Sequence, residues 1–185
     1  MIHEDRKHAM RRSVTMLSLS TILFGCATAP EFPPAPPAQT LVLEKTMVGR
    51  SIADGVFVNA LTGDETHFKA EINGRWTNNV LTLQEDFTYT DGKTERKTWR
   101  LTRIADGKYT GTREDVVGEA AVSQDGPGVR LDYVVTLATG LGDIDVRFRD
   151  LLFLNPDGSI ANTATVSKFG LRIGRVSLRM QPFRN

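Results

Sequence analysis

The sequence predicts an all-β fold, an antiparallel up-and-down barrel of about ten strands. Three observations lead there. Turn dipeptides recur along the chain, at Asp54-Gly55, Asn73-Gly74, Asp91-Gly92, Asp106-Gly107, Asp125-Gly126 and Asp157-Gly158, each of a type that accepts the positive φ of a tight hairpin. The runs between them alternate apolar and polar residues with period two, the mark of half-buried strands. No stretch holds a helical period over any length.

The first element in the chain is not a strand. Arg6, Lys7, Arg11 and Arg12 precede an apolar run over residues 13–24, and a membrane-spanning helix needs about 20 apolar residues. A basic segment before a short apolar run has the anatomy of a secretory signal. It closes on Leu23-Phe24-Gly25-Cys26, an order that resembles a bacterial lipobox, although Phe24 stands where a small or β-branched residue is usual. Residues 1–25 are therefore expected to be a lipoprotein signal peptide, starting at Met1 or Met10, and Cys26 the lipidated residue. Residues 26–40 follow as a tether. Five of the eight prolines lie in residues 27–39, a composition that makes an extended, semi-rigid spacer.

Residues 41–185 have the right length for one domain. In "THFKAEI" Thr66, Phe68, Ala70 and Ile72 share a face; in "VRLDYVVTL" Val129, Leu131, Tyr133, Val135 and Leu137 do; in "IDVRF" Ile144, Val146 and Phe148 do. Short strands joined by tight turns pair with their chain neighbours, and closing that meander removes its edges. A sandwich, the alternative, needs longer crossing connections. The final strand breaks phase between Leu171 and Ile173 on one parity and Val176, Leu178 and Met180 on the other, so a bulge is expected near Gly174.

Setting the hairpins in register brings polar residues onto the core face. A turn over Thr90-Asp91-Gly92 with Gly92 left-handed pairs Tyr89 with Lys93. Phe87 then opposes Glu95, Glu85 opposes Lys97, and Leu83 opposes Trp99. In the same way Asn155 pairs with Ser159, Leu152 opposes Asn162, Asp150 opposes Ala164, and Val146 opposes Lys168. Asp150 and Asn162 become diagonal neighbours within side-chain reach. Buried charge is costly unless paired, so these groups either line a cavity that takes a ligand's polar end or satisfy themselves. In the second case Glu85 and Lys97 form an internal pair, Lys168 reaches solvent from a strand end, and a bulge in "RFRDLLFL" turns Asp150 outward.

Composition excludes several functions. The net charge is +1 and the exported part is close to neutral, which leaves no basic footprint for nucleic acid. With Cys26 as the single cysteine, no disulfide is available and stability must come from core burial. His3 and His8 belong to the signal, and His67 alternates with Phe68 and so faces solvent. Thiol chemistry and histidine-rich metal sites are therefore not expected, nor any cofactor or metal, and a Ser-His-Asp triad would have to use His67.

The stretches "LTLQEDFTYTDGKTERKTWRL", "YTGTREDVVGEA", "LDYVVTL" and "NTATVSKFGLRIGRVSL" together resemble the bacterial domain-of-unknown-function family 3833, a set of predicted lipoproteins, over residues 47–180. The positions that carry the resemblance are Glu85, Lys97, Trp99, Asp115 with Val116 and Gly118, Asp150, Asn162, and Lys168 with Phe169 and Gly170. Leu151 and Lys97 depart from it, standing where the family tends to have tryptophan and arginine. The resemblance implies a lipocalin-like, calycin-like barrel and brings no activity with it.

The expected function is that of a binding module. A small barrel encloses a single ligand, and an acyl anchor holds it at a membrane. A lipid, fatty acid or other small amphiphile would lie against Trp76, Trp99, Tyr133 and Phe148, with Lys97 or Lys168 receiving an anionic head. The cavity candidates are thus Glu85, Lys97, Trp99, Asp115, Tyr133, Asp150, Asn162 and Lys168. A filled barrel acting in envelope assembly is the alternative, and an enzyme using the carboxylates of Glu85, Asp115 and Asp150 a lesser one. The chain is expected as an exported monomer, lipid-anchored on the periplasmic face, with Ala27 after the cysteine favouring the outer membrane over the inner.

Overall fold

Ten antiparallel strands pair with their chain neighbours, and the first closes on the last. The structure, a computed structural model, describes residues 27–34, 37, 39–140 and 142–183; Cys26 and the expected signal lie outside the described residues. A one-turn helix α1 (Leu43–Thr46) precedes β1 (Gly49–Asn59), β2 (Glu65–Thr77), β3 (Val80–Tyr89), β4 (Thr94–Ala105) and β5 (Lys108–Thr112). β6 (Ala120–Asp125), β7 (Gly128–Thr139), β8 (Gly142–Leu154), β9 (Ile160–Lys168) and β10 (Leu171–Pro182) complete the barrel. The expected up-and-down barrel is the fold, but two of the six dipeptides are not turns: Asp54-Gly55 lies within β1 and Asn73-Gly74 within β2, where the glycines make room for the Phe68 ring and the Met47 carbonyl.

The registers follow from turn chemistry. Gly92 takes φ +83°, the Tyr89 amide donates to the Lys93 carbonyl at 2.9 Å, and Glu85 opposes Lys97 while Leu83 opposes Trp99. In the β8–β9 hairpin Leu152 opposes Asn162 and Asp150 opposes Ala164. The bulge of β10 falls between Arg172 and Gly174. Gly174 is required there because a Cβ would sit 2.4 Å from the Phe57 ring.

No bulge interrupts β8 opposite either neighbour between Arg147 and Leu152, so Asp150 points inward and the outward alternative for it is corrected. The run Leu151-Leu152-Phe153 is apolar on both faces for another reason. Leu151 faces outward yet is fully buried, because the N-terminal residues run along the outer wall as a strap. The Ala27 amide donates to the Gly170 carbonyl at 3.2 Å. Arg149 and Arg130 then donate to the carbonyls of Ala27 and Pro30, and Phe32 meets Phe153 edge to face at 6.2 Å.

Past Gln39, which bridges to Leu154, the chain turns under the barrel. Leu41, Leu43 and Met47 are buried in the core, and Glu44 accepts from the Tyr109 hydroxyl at 2.5 Å and from Arg103 at 3.3 Å. The helix α1 thereby closes the base, the end where the β2–β3, β4–β5, β6–β7 and β8–β9 turns lie. The other five turns form the upper rim.

Candidate functional site

The interior holds two chambers. The upper one, about 170 Å³, is lined by Lys97, Arg113, Tyr133 and Phe148 among others. The deeper one, about 60 Å³, is apolar and floored by Leu43 and Met47. Glu85, Phe87, Trp99, Asp150, Asn162 and Leu178 belong to both and form the passage between them.

Arg113 organises the upper chamber. It follows β5 directly and continues the inward parity of Tyr109 and Gly111, both buried. Its Nε and Nη2 donate to the two oxygens of Asp115 at 2.6 and 3.2 Å. Its guanidinium carbon lies 4.7 Å from the Trp99 ring centroid and 5.5 Å from that of Tyr133, a stacked cation on two aromatic faces. Nη1 lies 4.0 Å from Glu85 Oε2. Lys97 Nζ donates to Asp115 Oδ2 at 2.7 Å and pairs with Glu95 at 3.3 Å. Both cations are thus already engaged by carboxylates.

Across the passage, Tyr133 stacks on Phe148 with centroids 5.4 Å apart and meets Trp99 edge-on at 5.1 Å. Its hydroxyl donates to Asp150 Oδ2 at 3.2 Å, and Asn162 Nδ2 donates to the same oxygen at 3.2 Å. Asp150 Oδ1 and Asn162 Oδ1 are buried and accept no hydrogen bond.

Burial sets the protonation of these groups. Loss of solvent raises Glu85 from 4.5 to about 7, against the opposing pull of Arg113 and Lys97. It raises Asp150 from 3.8 to about 6, against the bonds from Asn162 and the charge of Arg113. The Tyr133 hydroxyl is pushed well above its usual range by burial and by Asp150. Burial acts upward on Asp115 too, but Arg113 and Lys97 outweigh it and hold that carboxyl below its usual range.

Of the residues expected at the site, Glu85, Lys97, Trp99, Tyr133, Asp150 and Asn162 line the chambers. Asp115 stands behind the wall, as the anion that joins Lys97 to Arg113. Lys168 does not join them: it ends β9, and its ammonium sits 5.3 Å from the centroid of the Phe169 ring at the rim. Trp76 packs against Tyr109 instead, 6.5 Å centroid to centroid. Glu85 and Lys97 oppose each other as the register requires, yet Lys97 turns to Asp115 and Arg113 is the cation nearest Glu85. Arg113 itself was not anticipated. The parity of Tyr109, Gly111 and Arg113 in "YTGTR" is the signal that marks it as inward.

No curated protein matches the chain. Among solved structures, the S-type phycobiliprotein lyase CPES from Guillardia theta is similar in fold, with a TM-score of 0.56 and 7% identity over 77% of this chain and 91% of that one. Identity that low supports the lipocalin-like barrel and nothing finer. The profile of the family described as "Protein of unknown function (DUF3833)" matches residues 20–182. With the match running from before the strap through β10, the chain belongs to the DUF3833 family.

Proposed function

We propose that the protein binds a small amphiphile inside the barrel, its apolar part in the deep chamber and its polar end at Asp150, Asn162 and Glu85. The observation that carries this reading is the pair of buried, unpartnered acceptors Asp150 Oδ1 and Asn162 Oδ1 at the passage between a polar and an apolar chamber. An acceptor left unsatisfied in a low-dielectric interior costs about 1–3 kcal/mol. A ligand that donates hydrogen bonds there recovers that cost.

The polar end is accordingly a hydroxyl or a protonated amine. An anionic head is disfavoured, because Arg113 and Lys97 are held by Asp115 and the unengaged groups are acidic. Size restricts the ligand further: a cavity of about 150 Å³ admits a benzene-sized molecule, so the deep chamber, at about 60 Å³, takes an apolar part smaller than benzene, whereas drug-sized ligands fill roughly 300–1,000 Å³. The occupant is a compact amphiphile or the end of a longer chain. In keeping with its N-terminal sequence, the protein is held by acyl chains on Cys26 at the periplasmic face of the envelope, as a monomer.

Residues 27–185, which keep the strap and α1, serve for the test. Binding of short-chain alcohols, amines and carboxylic acids of equal length is followed by calorimetry, beside a native mass spectrum of the protein as purified. Uptake of the alcohol or amine in preference to the acid is the expected result, with a matching amphiphile extracted from the purified protein. A folded protein that takes up none of the three has a filled barrel, and the search then moves to its outer surface.

A further inference from the structure

At the upper rim the β9–β10 turn carries a residue that its backbone does not favour. Phe169 has φ +51° and the following Gly170 +79°, the paired left-handed geometry of a two-residue hairpin turn. The β2–β3 turn takes a similar backbone with Asn78 at +51° and Asn79 at +63°, the residue type that tolerates it. A phenylalanine is strained there, and at 93% exposure its ring recovers nothing from burial. Strain kept without folding benefit points to use.

The surroundings show which use. Leu171, in the same hairpin, is 46% exposed, and Leu61 on the adjacent β1–β2 turn is 81% exposed; the two turns are joined where the Ala60 amide donates to the Ile173 carbonyl. Arg172 and Arg175 are exposed beside them and flank a notch of about 260 Å³ with Asn59 and Gly63. Neither arginine makes an ion pair with another described residue. Lys168 adds a third cation over the Phe169 ring. Of the nearby acids, Glu65 at the start of β2 is hydrogen-bonded to His67 at 3.1 Å, and Asp64 is the acid on the turn itself. Apolar tips ringed by cations match the boundary between acyl chains and anionic headgroups. The chain also arrives here: Ala27 is hydrogen-bonded to Gly170, between Phe169 and Leu171, and the preceding residue is Cys26, behind the apolar run of residues 13–24.

We infer that the β9–β10 hairpin and the β1–β2 turn beside it dock on an anionic lipid surface, Phe169, Leu171 and Leu61 entering the acyl boundary while Lys168, Arg172 and Arg175 hold headgroup phosphates. The barrel then stands with its upper rim against the membrane and its base away from it. This does not require the cavity to hold a ligand.

The test uses the full chain reconstituted on phosphatidylglycerol vesicles with brominated acyl chains, which quench a nearby tryptophan. One variant carries Phe169→Trp and a second Ile104→Trp, an exposed position at the base; the native Trp76 and Trp99 are common to both and cancel in the comparison. Quenching and a blue shift of emission at position 169 but not at 104 are expected, with loss of that quenching at high salt and in an Arg172→Gln, Arg175→Gln background. Vesicle-bound protein in which both positions are quenched alike, or neither is, overturns the inference. So does inorganic phosphate bound at the two arginines while position 169 stays unquenched, since the notch then serves a free anion. A mass spectrum of the same preparation reports acylation of Cys26 separately, so failure of the anchor and failure of the rim are distinguishable.

Discussion

Arg113 makes five contacts that no other residue type reproduces together: two bonds to Asp115, an approach to Glu85, and two aromatic faces. Removing one partner of a buried ion network strands the others, at about 3–5 kcal/mol. We expect Arg113→Leu to lose stability on that scale in urea denaturation. Arg113→Lys should recover only part of it, because a point-charge ammonium neither forks onto a carboxylate nor stacks on Trp99; full recovery would mean that charge alone matters. This residue also marks where the sequence stopped being legible. Opposition of Glu85 and Lys97 is a backbone property, fixed by turn length. Which way Lys97 then leans is decided by Asp115, in a segment between β5 and β6 whose path no strand alternation specifies.

At the scale of elements, the strands were legible and their coverings were not. Period-two alternation locates β2, β7 and β8, but Leu151 and Phe153 lie on the outer face of β8 and are buried by a segment far away in sequence. The helix α1 has one turn, too short to leave a periodic trace. It depends on a glycine. A Cβ on Gly74 would lie 1.7 Å from the Met47 carbonyl oxygen, a backbone atom that cannot step aside alone. Gly74→Ala should therefore cost about 1–3 kcal/mol and speed amide hydrogen exchange at Leu41 and Met47, since the helix must leave the base to make room. Unchanged exchange at those amides would show that the β2 backbone yields instead.

For the molecule as a whole, the interior acids fix how stability depends on pH. Glu85 and Asp150 titrate higher in the folded protein, about 7 and about 6, than their usual 4.5 and 3.8. The folded state therefore holds protons that the unfolded chain has released, and their contribution is greatest below the usual values and is lost as pH rises through the folded ones. Asp115 is shifted the other way; its contribution is present above 3.8 and is lost as pH falls. Thermal melts should thus show stability declining from about pH 5 to pH 7, by an amount of the order of a few kcal/mol. Glu85→Gln should flatten much of that decline. A wild-type profile that is level over this range would place Glu85 in contact with solvent.

With Cys26 anchored as proposed, the strap gives the molecule two standoffs from that anchor. Fastened, with Ala27 on Gly170, Pro30 on Arg130 and Phe32 on Phe153, it pins the rim beside its own point of attachment. Unfastened, residues 27–39 are a leash that reaches about 40 Å at roughly 3.3 Å per residue. The change needs no rearrangement of the ten staves, but it uncovers Leu151 and Phe153, which the strap buries on the outer wall. Standoff from such an anchor is thereby coupled to the burial of two apolar side chains on the outer wall of β8.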